Sequence, residues 1–122
     1  MTHEARTRIR ARYLRDETST RLGGIAANLA RVNSFSQYHE GRTAVESLLD
    51  ETAHFIDWAG PELDIETAIE LAGLQRQLVR WHRHLDDVWS DPTLRHDLAN
   101  SARAWSDRIL ELSGLLNPCP TQ

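Results

Sequence analysis

The sequence predicts an all-α protein, an antiparallel four-helix bundle with an additional short N-terminal helix. Three observations carry this expectation. Leu71, Leu74, Leu78, Trp81, Leu85 and Val88 recur at alternating spacings of three and four, which only a helix of about 3.6 residues per turn places on one face. Leu22, Ile25, Leu29 and Val32 repeat the pattern upstream. The periodic stretches are joined by short turn signals such as Gly60-Pro61 and Ser90-Asp91-Pro92, and amphipathic helices with short connections pack as antiparallel neighbours.

The first helix is expected over about Glu4 to Leu14, with Ala5, Ile9 and Tyr13 as a thin apolar stripe on a basic arm, residues 1–15. Asp16 to Thr20 supply turn and cap residues, and a second helix runs from about Thr20 to Phe35. Gly23 and Gly24 each cost such a helix up to about 1 kcal/mol relative to Ala. Gly23, Ala27 and Ala30 form a side with little bulk, which predicts close approach by a neighbour; Gly24 alternatively marks a later start. Gly41 precedes a third helix, Arg42 to Ala59, carrying Val45, Leu48, Leu49, Thr52, Phe55 and Ile56 and ended by Gly60-Pro61.

A long helix is expected from Ile65, with Asp64 as N-cap, to Trp89. At 1.5 Å per residue it spans roughly 37 Å against about 27 Å for the third helix, an overhang of about 10 Å. The overhanging end holds Trp81, Leu85, Val88 and Trp89, so either the N-terminal helix or another chain should cover it. Asp91 as N-cap and Pro92 at the first helical position start the last helix. It carries Leu94, Leu98, Trp105, Ile109 and Leu112, stops at Gly114 and leaves residues 117–122 as a flexible tail. The 122 residues suit one domain.

Composition narrows the function. With 40 % apolar and 26 % charged residues the chain reads as soluble and globular, and no apolar run approaches the ~18 residues of a spanning helix. Its polar, basic start lacks a secretory signal, and Cys119 is alone, which together predict a cytoplasmic protein without disulfides or a thiolate zinc site. All 14 basic residues are Arg. Without Lys there is no Walker-type phosphate loop, Schiff base or lysine general base. Residues 1–15 hold five Arg and one acid, net +4, while the remainder holds nine Arg and 17 acids, net −8.

Several clusters invite chemistry. Glu51-Thr-Ala-His54 has the Glu-x-x-His spacing of di-iron bundles, but it occurs once and His54 falls at the edge of the apolar stripe. His82 and Asp86 at i, i+4, and His84 and Asp87 at i, i+3, read as surface ion pairs on one continuous helix; His82 with Asp86 is the other metal candidate. The expectation is no metal and no cofactor. Hydrolase chemistry lacks a Gly-x-Ser-x-Gly elbow. Arg76, Arg80 and Arg83 form one basic stripe whose mutual repulsion calls for carboxylates, either from adjacent helices or from an acidic partner or anionic ligand.

Arg6, Arg8, Arg10, Arg12 and Arg15 are the candidate anion-binding groups of the arm. Tyr13 alone interleaves them and the body is acidic, so nucleic acid and membrane binding are disfavoured against a solvated or internally paired arm. Ile25 to Gln37 fails as a helix-turn-helix because Leu29 stands where a small residue is wanted. Cys119-Pro-Thr-Gln122 has only the length of a prenylation box.

Four segments, Tyr13-Leu14-Arg15-Asp16, Arg21-Leu22-Gly23-Gly24-Ile25-Ala26-Ala27-Asn28-Leu29-Ala30-Arg31, Phe55-Ile56-Asp57-Trp58 and Leu112-Ser113-Gly114-Leu115-Leu116, resemble a family of small, uncharacterised helical proteins from oxygenic phototrophic bacteria. The resemblance implies a cytoplasmic bacterial protein and carries no activity. The expectation from the residues is a non-enzymatic protein-interaction module, an adaptor, assembly factor or regulator, with Trp81, Leu85, Val88, Trp89, Arg76, Arg80 and Arg83 meeting the partner, most simply in a homodimer. The alternatives are a bundle holding a metal or small ligand between its helices, and anion or nucleic-acid binding through the arm.

Overall fold

A computed structural model describes residues 2–15 and 18–114, with backbone alone for 11–15. These residues form α1 (His3–Arg15), α2 (Thr18–Phe35), α3 (Arg42–Ala59), α4 (Ile65–Arg83), α5 (Leu85–Ser90) and α6 (Pro92–Ser113), with 3-10 turns at His39–Gly41 and Gly60–Glu62. No strand occurs among them, so the protein is all-α. The expected caps over residues 16–17 and the C-terminal tail with Cys119 lie outside the described residues.

The core forms because the predicted apolar stripes face one another. Ile25, Leu29 and Val32 of α2, Val45 and Leu49 of α3, Leu71, Leu74 and Leu78 of α4, and Leu98, Ala102 and Ile109 of α6 are buried together. α2 lies against both α3 and α6, α4 lies against α3, α5 packs on α6, and α1 touches α3. Each fully buried Leu or Ile contributes about 1.5–3 kcal/mol.

Local signals read from the chain set several boundaries. α3 begins at Arg42 and ends at Ala59 as expected. The Asp91 carboxylate accepts from the Thr93 and Leu94 N–H groups at 2.9 and 3.4 Å, capping α6. Gly114 ends α6 at φ +76°, a left-handed conformation that favours Gly. Gly41 is required for another reason: a Cβ there would lie 2.0 Å from the Phe35 carbonyl oxygen. Asp64 occupies the N-cap position of α4 with extended backbone, but its side chain makes no capping bond.

Two expectations are corrected. The helix from Ile65 to Trp89 is not continuous: the hydrogen-bond ladder reaches from the His84 N–H to Arg80 and resumes with the Val88 N–H onto His84, and His84, at φ −108° and ψ 23°, departs from helical backbone between α4 and α5. α4 then has 19 residues and α3 has 18, about 28 and 27 Å, so the overhang disappears. Leu85, Val88 and Trp89 are buried within the chain, at 1 %, 8 % and 6 % exposure. The physical reason is a trade: the N–H groups of residues 85–87 leave the ladder at about 1 kcal/mol net each, while each of the three side chains brings about 1.5–3 kcal/mol on burial.

The second correction concerns α2. Its helix is unbroken through Gly23 and Gly24, and Ala27 is exposed. Close approach occurs instead at Ala26, where the Ser106 hydroxyl of α6 donates to the Ala26 carbonyl at 2.8 Å beside buried Ala99 and Ala102. Small residues on α6 supply the room there, while of the expected side Ala27 is exposed and Gly23 and Ala30 are half-buried. Asn33 Nδ2 fastens the same pair of helices by donating to the Ala99 carbonyl at 2.8 Å.

Candidate functional site

α4 has two faces of different character. Leu71, Leu74 and Leu78 point into the core. On the opposite side, 3.6 residues per turn bring Ile65, Ile69, Ala72, Arg76, Val79, Arg80 and Arg83 within about 60° of one line. The contacts made by neighbouring side chains fix how the helix is rotated. Gln75 Nε2 donates to the Ala53 carbonyl at 3.0 Å and to Asp57 at 2.6 Å on α3. The Trp105 indole of α6 donates to Gln77 at 3.0 Å, and Arg108 of α6 makes a forked bond to Glu70, its Nη2 lying 3.0 Å from Oε1. Held from both flanks, the outer face is left to solvent.

That face is both apolar and basic. Ile65, Ile69 and Val79 are 75 %, 66 % and 46 % exposed. Arg76, Arg80 and Arg83 are exposed, and among the described residues none makes a hydrogen bond or ion pair. With Gln75, Val79 and His84 they line a shallow groove of about 440 Å³. Arg76 folds back on its own helix, its Nη2 3.8 Å from where a Cβ on Gly73 would sit. The adjacent helices therefore do not supply the carboxylates that the stripe calls for. The remaining acids near the N-terminal end of this face, Asp64 and Glu66, are exposed and also unpaired among the described residues.

The other sequence candidates are dispersed. Trp81 is half-buried against the core. Trp89 donates its indole N–H to the His39 carbonyl at 2.7 Å and carries the Arg95 guanidinium 5.5 Å above its ring, so it closes the turn before α3. Leu85, Val88 and Trp89 are thus not available as a wet patch. His82 and Asp86 do not pair, because the break at His84 turns Asp86 toward Arg42 of α3, with which it forms an ion pair. His84 and Asp87 do approach, at 3.9 Å. Glu51 accepts from Asn28 Nδ2 at 3.1 Å, and His54 Nδ1 lies 2.8 Å from the Asp50 carbonyl with its ring against Trp58. Among the described residues no three metal-ligating side chains come together.

On the arm, Arg8 and Arg10 are exposed and Arg6 is half-buried, its Nε without a hydrogen-bond partner among the described residues. The side chains of Arg12 and Arg15 lie outside the described residues. No described helix is long and apolar enough to cross a membrane. Glu70 is held below the usual carboxylate range chiefly by its hydrogen bond to Arg108, which outweighs the opposing effect of burial, with that residue's charge adding a lesser push in the same direction.

Ile65, Ile69 and Val79 were missed as site residues, although a signal existed: they fall out of phase with Leu71, Leu74 and Leu78 and in phase with the arginines. No protein-family profile, curated protein or solved structure matches this chain.

Proposed function

We propose that the protein is a non-enzymatic interaction module, an adaptor, assembly factor or regulator acting in the cytoplasm, that engages an acidic partner surface through the outer face of α4. In this reading α2, α3, α4 and α6 are the four helices of an antiparallel bundle, α1 is the additional helix, and α5 closes one end. One observation carries it: among the described residues Arg76, Arg80 and Arg83 have no carboxylate partner, on a face that also exposes Ile65, Ile69 and Val79. Like charges at i, i+4 cost a helix about 0.2–0.5 kcal/mol per pair. A partner's carboxylates would remove that cost and accept forked hydrogen bonds from the guanidinium groups, while the apolar side chains supply buried area. Arg is among the residues enriched at protein interfaces.

The test is quantitative affinity capture from native lysate with the wild-type protein, an Arg80→Glu/Arg83→Glu variant and an Arg103→Glu control. Loss of specific partners with the double variant alone supports the reading. Identical profiles for all three overturn it.

A further inference from the structure

Resting on that reading, we propose that the partner of the α4 face is a second copy of this chain, with the two α4 helices packed antiparallel about a two-fold axis near Leu74. The face is self-complementary. Asp64 and Glu66, both exposed and unpaired among the described residues, flank its N-terminal end to either side of Ile65, which with Ile69 is the most exposed large aliphatic side chain described. Its C-terminal end carries Arg80 and Arg83, exposed and unpaired among the described residues, beside Val79. Reversing one copy against the other, at 1.5 Å per residue, sets Ile65 opposite Arg83 and Ile69 opposite Val79 and Arg80. Ala72 and Gly73 then fall at the middle.

Each element of this pairing answers a feature that the isolated chain leaves open. The acidic end of each copy meets the basic end of the other, so that all four charged clusters are compensated by one symmetric contact. The helix dipoles run in opposite directions, and the partly positive N-terminus of one α4 lies beside its partner's partly negative C-terminus. In this register Ala72 lies opposite Arg76 of the other copy, so the small residue leaves room at the crossing for the Arg76 stem. Ile65 and Ile69, otherwise wet, cover each other's flanks and the aliphatic stems of Arg80 and Arg83. The only charged side chain close to the axis is Arg76, and it is already folded back over Gly73 of its own helix. The 19-residue helix presents a face about 28 Å long, at the small end of specific interfaces, so the association is concentration-dependent and weakened by salt.

Sedimentation equilibrium of the full chain decides the matter. Wild-type protein at about 100 μM should be dimeric at low salt. Arg80→Glu/Arg83→Glu makes the face acidic at both ends, and Asp64→Arg/Glu66→Arg makes it basic at both ends. Each variant alone should dissociate, with an association constant reduced about 100-fold or more. An equimolar mixture of the two should recover a dimer of wild-type affinity, because every acidic end of one variant then meets a basic end of the other. Circular dichroism of each variant confirms that helicity is kept. A wild-type chain that stays monomeric, a variant that still self-associates, or a mixture that remains monomeric overturns the proposal. If the chain is monomeric while lysate capture still depends on Arg80 and Arg83, self-association fails and the interaction-module reading stands; if neither depends on them, both fail.

Discussion

α4 and α6 are helices of similar length, 19 and 22 residues, and each carries three arginines, yet those arginines have opposite circumstances. On α6 every one has a partner within the chain. Arg95 lies over the Trp89 ring, Arg103 sits 3.7 Å from Asp107, and Arg108 bonds Glu70 across to α4 and lies 3.6 Å from Glu111. On α4, Arg76, Arg80 and Arg83 have none among the described residues. The difference teaches that a stripe of Arg is not informative by itself. What separates a structural cation from one available to a partner is whether the fold brings a carboxylate or a ring to it.

The comparison can be broken hardest from the compensated side. Trp89→Ala removes a buried ring, the cover beneath Arg95 and the bond that closes the His39 turn. It should cost about 3–5 kcal/mol, read as a fall in the urea midpoint. A variant that unfolds like the wild type but only changes its state of association would return Trp89 to an interface role. Gly41→Ala attacks the same turn from the other strand of chain. Its Cβ would strike the Phe35 carbonyl, and the backbone shift needed should cost about 1–3 kcal/mol, measured the same way.

How much of this was legible depends on what kind of signal each feature leaves. The ends of α3, the Asp91 cap and the Gly114 stop were legible because Gly, Pro and capping side chains act locally. The break at His84 was not, since Leu78, Trp81, Leu85 and Val88 keep their spacing across it. Periodicity reports which residues are buried, and Leu85 and Val88 are; it does not report whether they share an axis with what precedes them. The partners of the arginines were illegible for a related reason. Asp86 pairs with Arg42 and Glu70 with Arg108 over separations of 44 and 38 residues, which only the packed fold establishes. The outer face of α4 was half legible: its arginines stand out by their charge and spacing, whereas Ile65 and Ile69 are marked only by being out of phase with Leu71, Leu74 and Leu78.

Removing a compensated cation sharpens the comparison with a smaller effect and a definite pH signature. Glu70 is held below its ordinary value chiefly by the hydrogen bond from Arg108. A depressed folded-state pKa stabilises the fold above the unfolded value of 4.5 and loses that stabilisation as pH falls through the lower folded value. Arg108 is raised by Glu70 and stays charged throughout this range. Arg108→Gln should therefore lower the melting temperature modestly at neutral pH, with the gap from wild type closing in the acid range below pH 4.5. A gap that is constant down to low pH would show that packing of the Arg108 stem, not its charge, is what matters.

The central claim, that the α4 arginines serve contacts outside the folded chain, is tested most directly by melting the Arg76→Gln/Arg80→Gln/Arg83→Gln protein at low micromolar concentration, where association contributes little. Neutralising three mutually repelling and unpaired cations should leave the melting temperature unchanged or raise it slightly, by no more than the equivalent of about 0.5 kcal/mol per repulsive pair. A fall equivalent to about 1 kcal/mol or more, the size of a lost intramolecular hydrogen bond, would show that these side chains hold the fold together and contradict the account.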